Sequence, residues 1–422
     1  MKYCKIYLKP KKEESLLRFH PWVFSGAVAS TEGKPTEGDL VEIYSSDNRF
    51  LGIGHCQIGS IVVRVLSFKP ATIDVSFWTE RIRSAYKLRR SLGLIRTETA
   101  SASDPSESGT PTFWGTAPTD GSSMINDTYR LIHGEGDCLP GLIIDIYAHT
   151  AVIQAHSVGM HYARKEIAEA LREVLGDDLH RIYYKSEGTL PFKAELGEEN
   201  EYLFGSDNKE SSVATENGIR FHIDWQKGQK TGFFVDQRDN RSLVQHYAKN
   251  RAVLNMFCYT GGFSVYALRG GASLVHSVDS SAKAIALTNE NVALNFPGDA
   301  RHQAFAEDAF KYMETIDDAY DLIVLDPPAF AKHRNVLRNA LQGYRKLNAV
   351  AFRKIKPGGI IFTFSCSQIV SKNDFRLAVF SAAAQSGRTV RILHQLTQPA
   401  DHPVNIYHPE GEYLKGLVLQ VE

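Results

Sequence analysis

RAVLNMFCYTGGFSVYALRGGASLVHSVD, residues 251 to 279, carries the reading that decides the fold. Its opening run, RAVLNMFCY, has the length and apolar character of a buried strand, and the glycine pair Gly261-Gly262 then interrupts it. A helix from Gly262 to Arg269 follows, and SLVHSVD is a second buried strand. Parallel neighbours need a crossover long enough to hold a helix, so this is a strand–helix–strand unit. The alternation continues through SAKAIALTNENVALNF, HQAFAED, a helix, YDLIVLD, a long helix to about Lys354 and GGIIFTFSC. Such a succession specifies a doubly wound parallel α/β sheet of Rossmann-like type over residues 213–422.

Upstream the periodicity changes twice. Residues 1–72 read as short strands divided by turns (KIYLK, WVFSGAV, the turn TEGKPTEGD, DLVEIYS, SSDNRF, LGIGHC, IVVRVLSF), which predicts a small all-β barrel. Ile73 to Leu94 has helical spacing, with Phe77, Ile82, Ala85, Tyr86, Leu88 and Leu92 on one side and Arg81, Arg83, Lys87, Arg89 and Arg90 elsewhere. Strand-like runs (TYRLIHGE, GLIIDIYAHTAVIQAHS), the helical HYARKEIAEALREVLG and the strand HRIYYKSE complete a central α+β unit over 73–212. Residues 97–123, rich in Ser, Thr, Pro and Gly, read as a mobile loop within it.

The chain has 422 residues, 43% apolar and 23% charged, enough for two or three domains of ordinary globular composition. No uncharged apolar run is long enough to span a bilayer, and lysines interrupt the start, so a cytoplasmic protein is expected. Five scattered cysteines without a CxxC argue for reduced thiols and against a cysteine-built zinc site. His394, His402 and His408, spaced by 8 and 6, fit no single helical face, and no metal is expected. The 48 basic and 48 acidic side chains balance, but residues 1–98 hold 16 Lys and Arg against 10 Asp and Glu. That basic excess suits an RNA-facing module and equally an ordinary solvated surface.

Ligands of open α/β sheets sit beyond the carboxyl ends of the strands, so the strand exits hold the candidate chemistry. The first exit is Phe257-Cys258-Tyr259-Thr260-Gly261-Gly262-Phe263, where glycines permit close backbone approach to a ligand. Asp279 ends the second strand, placed to accept from both ribose hydroxyls of an adenosyl cofactor or, alternatively, to cap the helix SSAKAI. Asp308 ends the third and either borders an adenine ring or caps a helix. The fourth exit, Asp326-Pro327-Pro328-Ala329-Phe330, fixes an extended backbone with an acid and an aromatic facing the pocket, suited to holding a flat base. The fifth is Phe364-Ser365-Cys366-Ser367, and pairing of the fourth and fifth strands brings Cys366 to the same rim as Asp326. Before the sheet lies GQKTGFFVDQRDNR, residues 228–241, read as a loop able to grip a carboxylate or phosphate, or else as a polar helix start.

Together these motifs resemble the class I S-adenosylmethionine-dependent RNA methyltransferases, specifically the bacterial 23S rRNA cytosine-C5 methyltransferases with an N-terminal PUA domain. The resemblance runs through RFHPWVFSGAV (18–28), YRLIHGEGDCLPGLIIDIY (129–147), GQKTGFFVDQRDNR (228–241), NMFCYTGGF (255–263), LDPPAF (325–330), FTFSCS (362–367) and ADHPVNIYHPEGEYLKG (400–416). It implies a PUA RNA-binding domain at 1–72, a central domain at 73–212 and a methyltransferase domain at 213–422. The implied S-adenosylmethionine set is Thr231, Phe234, Asp236, Arg238, Phe257, Tyr259, Thr260, Gly261, Gly262, Asp279, Asp308 and Asp326. Pro327, Pro328 and Phe330 would meet the substrate base. Two departures stand out: the 97–123 insertion, and Ala329 where a lysine is common.

The implied chemistry needs a thiolate, because cytosine C5 takes a methyl only after a nucleophile has added to C6. Cys366 would be that nucleophile, and Asp326 would stabilise charge near N3 and the exocyclic amine. The base that removes the C5 proton is not identified. The implied partner is 23S rRNA, free or in an assembling large subunit, and a homodimer is compatible with this reading. Two alternatives stand beside it: an enzyme of the same fold methylating an exocyclic amine such as guanine N2, which needs no cysteine, and a non-catalytic RNA-binding ribosome-assembly factor.

Overall fold

The computed structural model describes residues 3–95, 126–190, 196, 200–207, 212–331 and 333–422. The loop read at 97–123 therefore lies outside the described residues.

The first sheet contains β1 (Cys4–Leu8), β2 (Trp22–Phe24), β3 (Val28–Glu32), β4 (Leu40–Tyr44), β5 (Phe50–Cys56) and β6 (Ile61–Ser67), in the order β2-β6-β5-β4-β1-β3. Alternation decides its inner face: Val41 and Ile43 are fully buried while Glu42 between them is not. They join Ile6, Leu8, Val23, Val63 and Val65 in one apolar cluster. A short helix, α1 (Glu14–Leu17), lies between β1 and β2.

Helix α2 (Val75–Ser91) opens with Asp74 accepting from the Phe77 amide at 3.0 Å. Ile82 and Ala85 are buried as spacing dictates and Trp78 takes the place expected of Phe77, while Leu88 and Arg89 depart most from the pattern. Leu88 is exposed, whereas Arg89 is fully buried, where its guanidinium donates to Asp137 Oδ2 and to the Asp401 carbonyl, both at 2.7 Å. Charge was a poor guide here because its partners lie 48 and 312 residues away.

A five-stranded sheet follows: β7 (Thr128–His133), β8 (Leu142–Tyr147), β9 (Thr150–Ala155), β10 (Arg181–Tyr184) and β11 (Glu201–Phe204), with α3 (Val158–Tyr162) and α4 (Arg164–Leu175). The long run GLIIDIYAHTAVIQAHS is a hairpin of β8 and β9, turned at Ala148, whose φ is 50°. The two-stranded β12 (Val213–Glu216) and β13 (Ile219–His222) lead into α5 (Arg238–Tyr247). Hence the second half of the segment read as a loop at 228–241 is helical.

The last sheet has seven strands: β14 (Ala252–Met256), β15 (Leu274–Asp279), β16 (His302–Ala306), β17 (Leu322–Leu325), β18 (Gly359–Ser365), β19 (Val390–Leu396) and β20 (Lys415–Val421). Interleaved are α6 (Gly262–Arg269), α7 (Ala282–Asn295), α8 (Ala309–Thr315), α9 (Leu337–Lys354) and α10 (Lys372–Ser386). The order is β16-β15-β14-β17-β18-β20-β19. The first five are parallel, as expected; β20 inserts antiparallel between β18 and β19, so the sheet is mixed. Periodicity reports burial, not strand direction, and could not foresee this. Val253, Leu254, Ile323, Val324, Ile361 and Phe362 are fully buried, with apolar clusters on both faces of the sheet. Strand order reverses around β14, which opens a crevice at its carboxyl end between β15 and β17.

Candidate active site

The loop leaving β14 bends sharply, with Phe257 and Tyr259 both at positive φ (58° and 49°) and Gly261 at 78°. Gly261 is required by packing: a Cβ there would stand 2.6 Å from Thr288 Cγ2. A Cβ on Gly262 would meet Arg241 Cδ at 3.1 Å. On the Cβ side of both glycines the space is therefore filled by protein neighbours. Thr260 is buried, and its carbonyl accepts from Asn291 Nδ2 at 2.9 Å.

Asp279 is gripped by two amides, Tyr259 N to Oδ2 at 3.0 Å and Ser281 N to Oδ1 at 2.9 Å. It is not the cap of α7; Ser281 is, accepting from the Ala284 amide. Its carboxylate is held at the crevice with lone pairs to spare, the arrangement that suits ribose hydroxyls. Asp308, exposed, caps α8 by accepting from Lys311 N at 3.0 Å through Oδ1.

Segment 228–241 divides into residues beneath the site and residues at it. Thr231 is fully buried, donating to Asp145 Oδ2 at 2.6 Å and bonded to the Tyr147 hydroxyl at 2.8 Å. Arg238 is buried against Asp401 and Glu216. Both side chains therefore brace the loop. Arg241 does similar bracing, bidentate on Glu216 at 2.8 and 2.6 Å and donating to the Phe234 carbonyl at 2.9 Å. Phe234 packs edge-on against Tyr259 at 5.1 Å, joining this segment to the β14 exit.

The two carboxylates at the site are tied together through consecutive residues. Gln237 Nε2 donates to Asp326 Oδ2 at 3.0 Å, and the amide oxygen of Gln237 is fixed by Asn240 Nδ2 at 2.6 Å. Asp236, one residue earlier, accepts from the Tyr413 hydroxyl at 2.6 Å through Oδ2, while its buried Oδ1 has no partner among the described residues. Burial pushes the Asp326 carboxyl up to about 7, the negative charge of Asp236 adding to it and the Gln237 bond opposing it. Cys366, partly buried, is pushed up to about 11 by burial first and then by Asp326 and Asp236, with Lys230 opposing. Asp326 and Cys366 follow adjacent parallel strands, and the charge of Asp236 acts on both.

The base of Cys366 is also secured. Lys415 pairs with Ser365 across β18 and β20, is buried, and donates from Nζ to the carbonyls of Ser367 and Val370. Pro327 is buried and Pro328 exposed. Phe330 packs on Tyr344, ring centroids 4.7 Å apart, so one of its flanks is occupied by α9. Gln237, Asn240, Tyr413 and Lys415 were not singled out from sequence, although all four lie within or beside the quoted stretches. Gln237, Tyr413 and Lys415 act on residues 45 to 177 positions away, a relation with no local signature, and Asn240 acts through Gln237.

Residues 129–411 match the S-adenosylmethionine-dependent methyltransferase family, and residues 6–68 match the PUA-like domain. Ribosomal RNA large subunit methyltransferase I of Aeromonas hydrophila is 38% identical over 421 residues, covering 98% of each chain. The protein of the same name from Escherichia coli O1:K1 is 36% identical over 422 residues, covering 99% of each. Among solved structures, SMU.776 complexed with SAH shares the fold at a TM-score of 0.79 and 23% identity, covering 99% of this chain and 100% of that one.

Proposed function

The chain belongs to the ribosomal RNA large subunit methyltransferase I family of S-adenosylmethionine-dependent methyltransferases, and from that premise we propose that it methylates C5 of a cytosine in 23S rRNA through a transient bond to Cys366. The observation that carries this reading is the meeting of Cys366 with Asp326 at adjacent strand exits. Methylation of an amine needs no thiol there.

S-adenosylmethionine supplies the electrophilic methyl group. Asp279, held by two amides, fits the ribose, and the residues of the β14 exit (Phe257, Tyr259, Thr260, Gly261 and Gly262) with Phe234 form the remaining wall of its site. Asp308, with one oxygen on its own helix, would reach the adenine through the other.

Asp326 manages protons. A carboxyl near 7 can take the proton of the Cys366 thiol and present it to cytosine N3, so that C6 becomes electrophilic as the sulfur adds. The resulting enamine attacks the methyl carbon from C5. Loss of the C5 proton then restores the C5–C6 double bond and expels Cys366, whose sulfur regains from N3, through Asp326, the proton it gave up. Pro327 and Pro328 hold the backbone extended beside the base, and the open flank of Phe330 can lie against it. Residues 1–72 serve as the RNA-holding module, 73–212 as the central domain and 213–422 as the methyltransferase, working in the cytoplasm where the ribosome is made.

The test uses large-subunit rRNA transcribed with 5-fluorocytidine. Fluorine at C5 blocks elimination, so the wild type should form an adduct that survives denaturing electrophoresis, and Cys366→Ala should form none and transfer no methyl. Near-normal methyl transfer by Cys366→Ala would return the site to amine methylation.

A further inference from the structure

Among the described carboxylates whose charge reaches Cys366, Asp236 has a buried oxygen with no partner. Asp326 is engaged by Gln237 and, in the reading above, by the proton it exchanges with the thiol and the base. Lys415 spends its ammonium on two carbonyls of the Cys366 loop. Asp236 differs: Tyr413 fixes Oδ2 at 2.6 Å, and Oδ1 is buried without a partner among the described residues. Burying a carboxylate oxygen unbonded costs about 1–3 kcal/mol or more, so it calls for a use.

Position supplies that use. Asp236 sits on the short turn Val235–Gln237, so its neighbour Gln237 reaches Asp326 while Asp236 itself meets Tyr413. Tyr413 stands two residues before Lys415, which pairs with Ser365 beside the nucleophile. Asp236 thus lies between the exits of β17 and β18. Its charge acts on both Asp326 and Cys366, and the guanidiniums of Arg130 and Arg241 lie within its reach.

We infer that Asp236 is the general base that takes the C5 proton after methyl transfer, an inference that rests on the cysteine-adduct reading. The C5–H bond breaks toward Asp236 Oδ1, its electron pair forms the C5–C6 double bond, and the C6–S bond breaks to return the Cys366 thiolate. Asp236 then gives the proton to water. Tyr413 keeps the carboxylate oriented by donating to the other oxygen, which leaves Oδ1 as the basic atom.

Asp236→Asn preserves shape and an acceptor for Tyr413 but lacks the basic oxygen. On unmodified large-subunit rRNA with methyl-labelled S-adenosylmethionine, its first methyl transfer should stay within about threefold of wild type, whereas steady turnover should fall about 100-fold or more. A methyl-labelled covalent protein–RNA species should accumulate on natural RNA and be absent from the Asp236→Asn/Cys366→Ala double variant. Melting temperature confirms a folded variant, and an unchanged S-adenosylmethionine affinity separates the base from the cofactor contact that the resemblance implies for Asp236. Steady turnover near wild type without an adduct would overturn the inference. So would loss of first methyl transfer while wild type is still trapped by 5-fluorocytidine RNA, since Asp236 would then act earlier and the cysteine reading would stand. Failure of wild type itself to be trapped would remove both.

Discussion

Gln237 donates to Asp326 Oδ2 at 3.0 Å with an amide whose oxygen is fixed by Asn240 at 2.6 Å, so the face it turns to the carboxyl is settled by protein contacts alone. One neutral hydrogen bond does not offset burial and the nearby Asp236 charge, and Asp326 stays raised to about 7.

That shift has a stability consequence. Below about pH 4 the carboxyl is protonated in both folded and unfolded chains; between about 4 and 7 only the folded chain keeps the proton. Wild-type stability therefore falls as pH rises through this window and is constant in this respect above it. Asp326→Asn, with no proton to lose, should gain in melting temperature relative to wild type from pH 4 to 7 and hold that gain at pH 8, while losing methyl transfer. Parallel melting curves across the window would count against the raised carboxyl.

Asp279 should carry much of the cofactor affinity. Its two amide bonds fix the carboxylate without exhausting it, and charge-assisted hydrogen bonds to ribose are worth about 1.5–3 kcal/mol together. Asp279→Ala should weaken S-adenosylmethionine binding by roughly 10- to 150-fold in calorimetry. An unchanged affinity in a folded variant would mean that this carboxylate serves only to hold Tyr259 and Ser281.

What the sequence made legible was mostly what one strand exit says about itself. Apolar runs such as AVLNM and GIIFTFS marked buried strands, and the acids at their ends marked the crevice. Relations across the chain were illegible. Arg89 reads as one more surface cation on a basic helix until Asp137 and Asp401 arrive beside it. Nothing local in GQKTGFFVDQRDNR shows that the side chains of Thr231 and Arg238 bond Asp145, Glu216 and Asp401. Asp279 and Asp308 share one local pattern, an acid before a helix, yet only Asp308 caps; Ser281 spared Asp279 that task.

The Arg89–Asp137 pair joins α2 to the central sheet where neither side chain is exposed by more than 4%. Truncating one member leaves the other charged and unpaired, so Arg89→Ala should lower unfolding free energy by about 3–5 kcal/mol in urea titrations. Adding Asp137→Asn should restore part of that loss, because it removes the stranded charge. A single-variant cost below 1 kcal/mol would mean that water reaches the pair.

The last prediction concerns Cys366 before any RNA arrives. A thiol at about 11 is thiolate at only about one part in a thousand at pH 8, so alkylation by iodoacetamide should be slow there and rise about tenfold per pH unit until near 11. Peptide mapping separates it from exposed Cys138. Asp326 and Asp236 both raise the thiol by repulsion, so Asp326→Asn and Asp236→Asn should each move the alkylation profile to lower pH, and the double variant further. Asp326→Asn should lose methyl transfer and Asp236→Asn steady turnover, although the sulfur of each is more readily ionised. Reactivity and turnover would then change in opposite directions, as expected when the carboxylates serve to move protons and not to activate the resting sulfur. A profile centred near the ordinary thiol value, unmoved by either substitution, would place Cys366 away from both acids and remove the basis for their joint action.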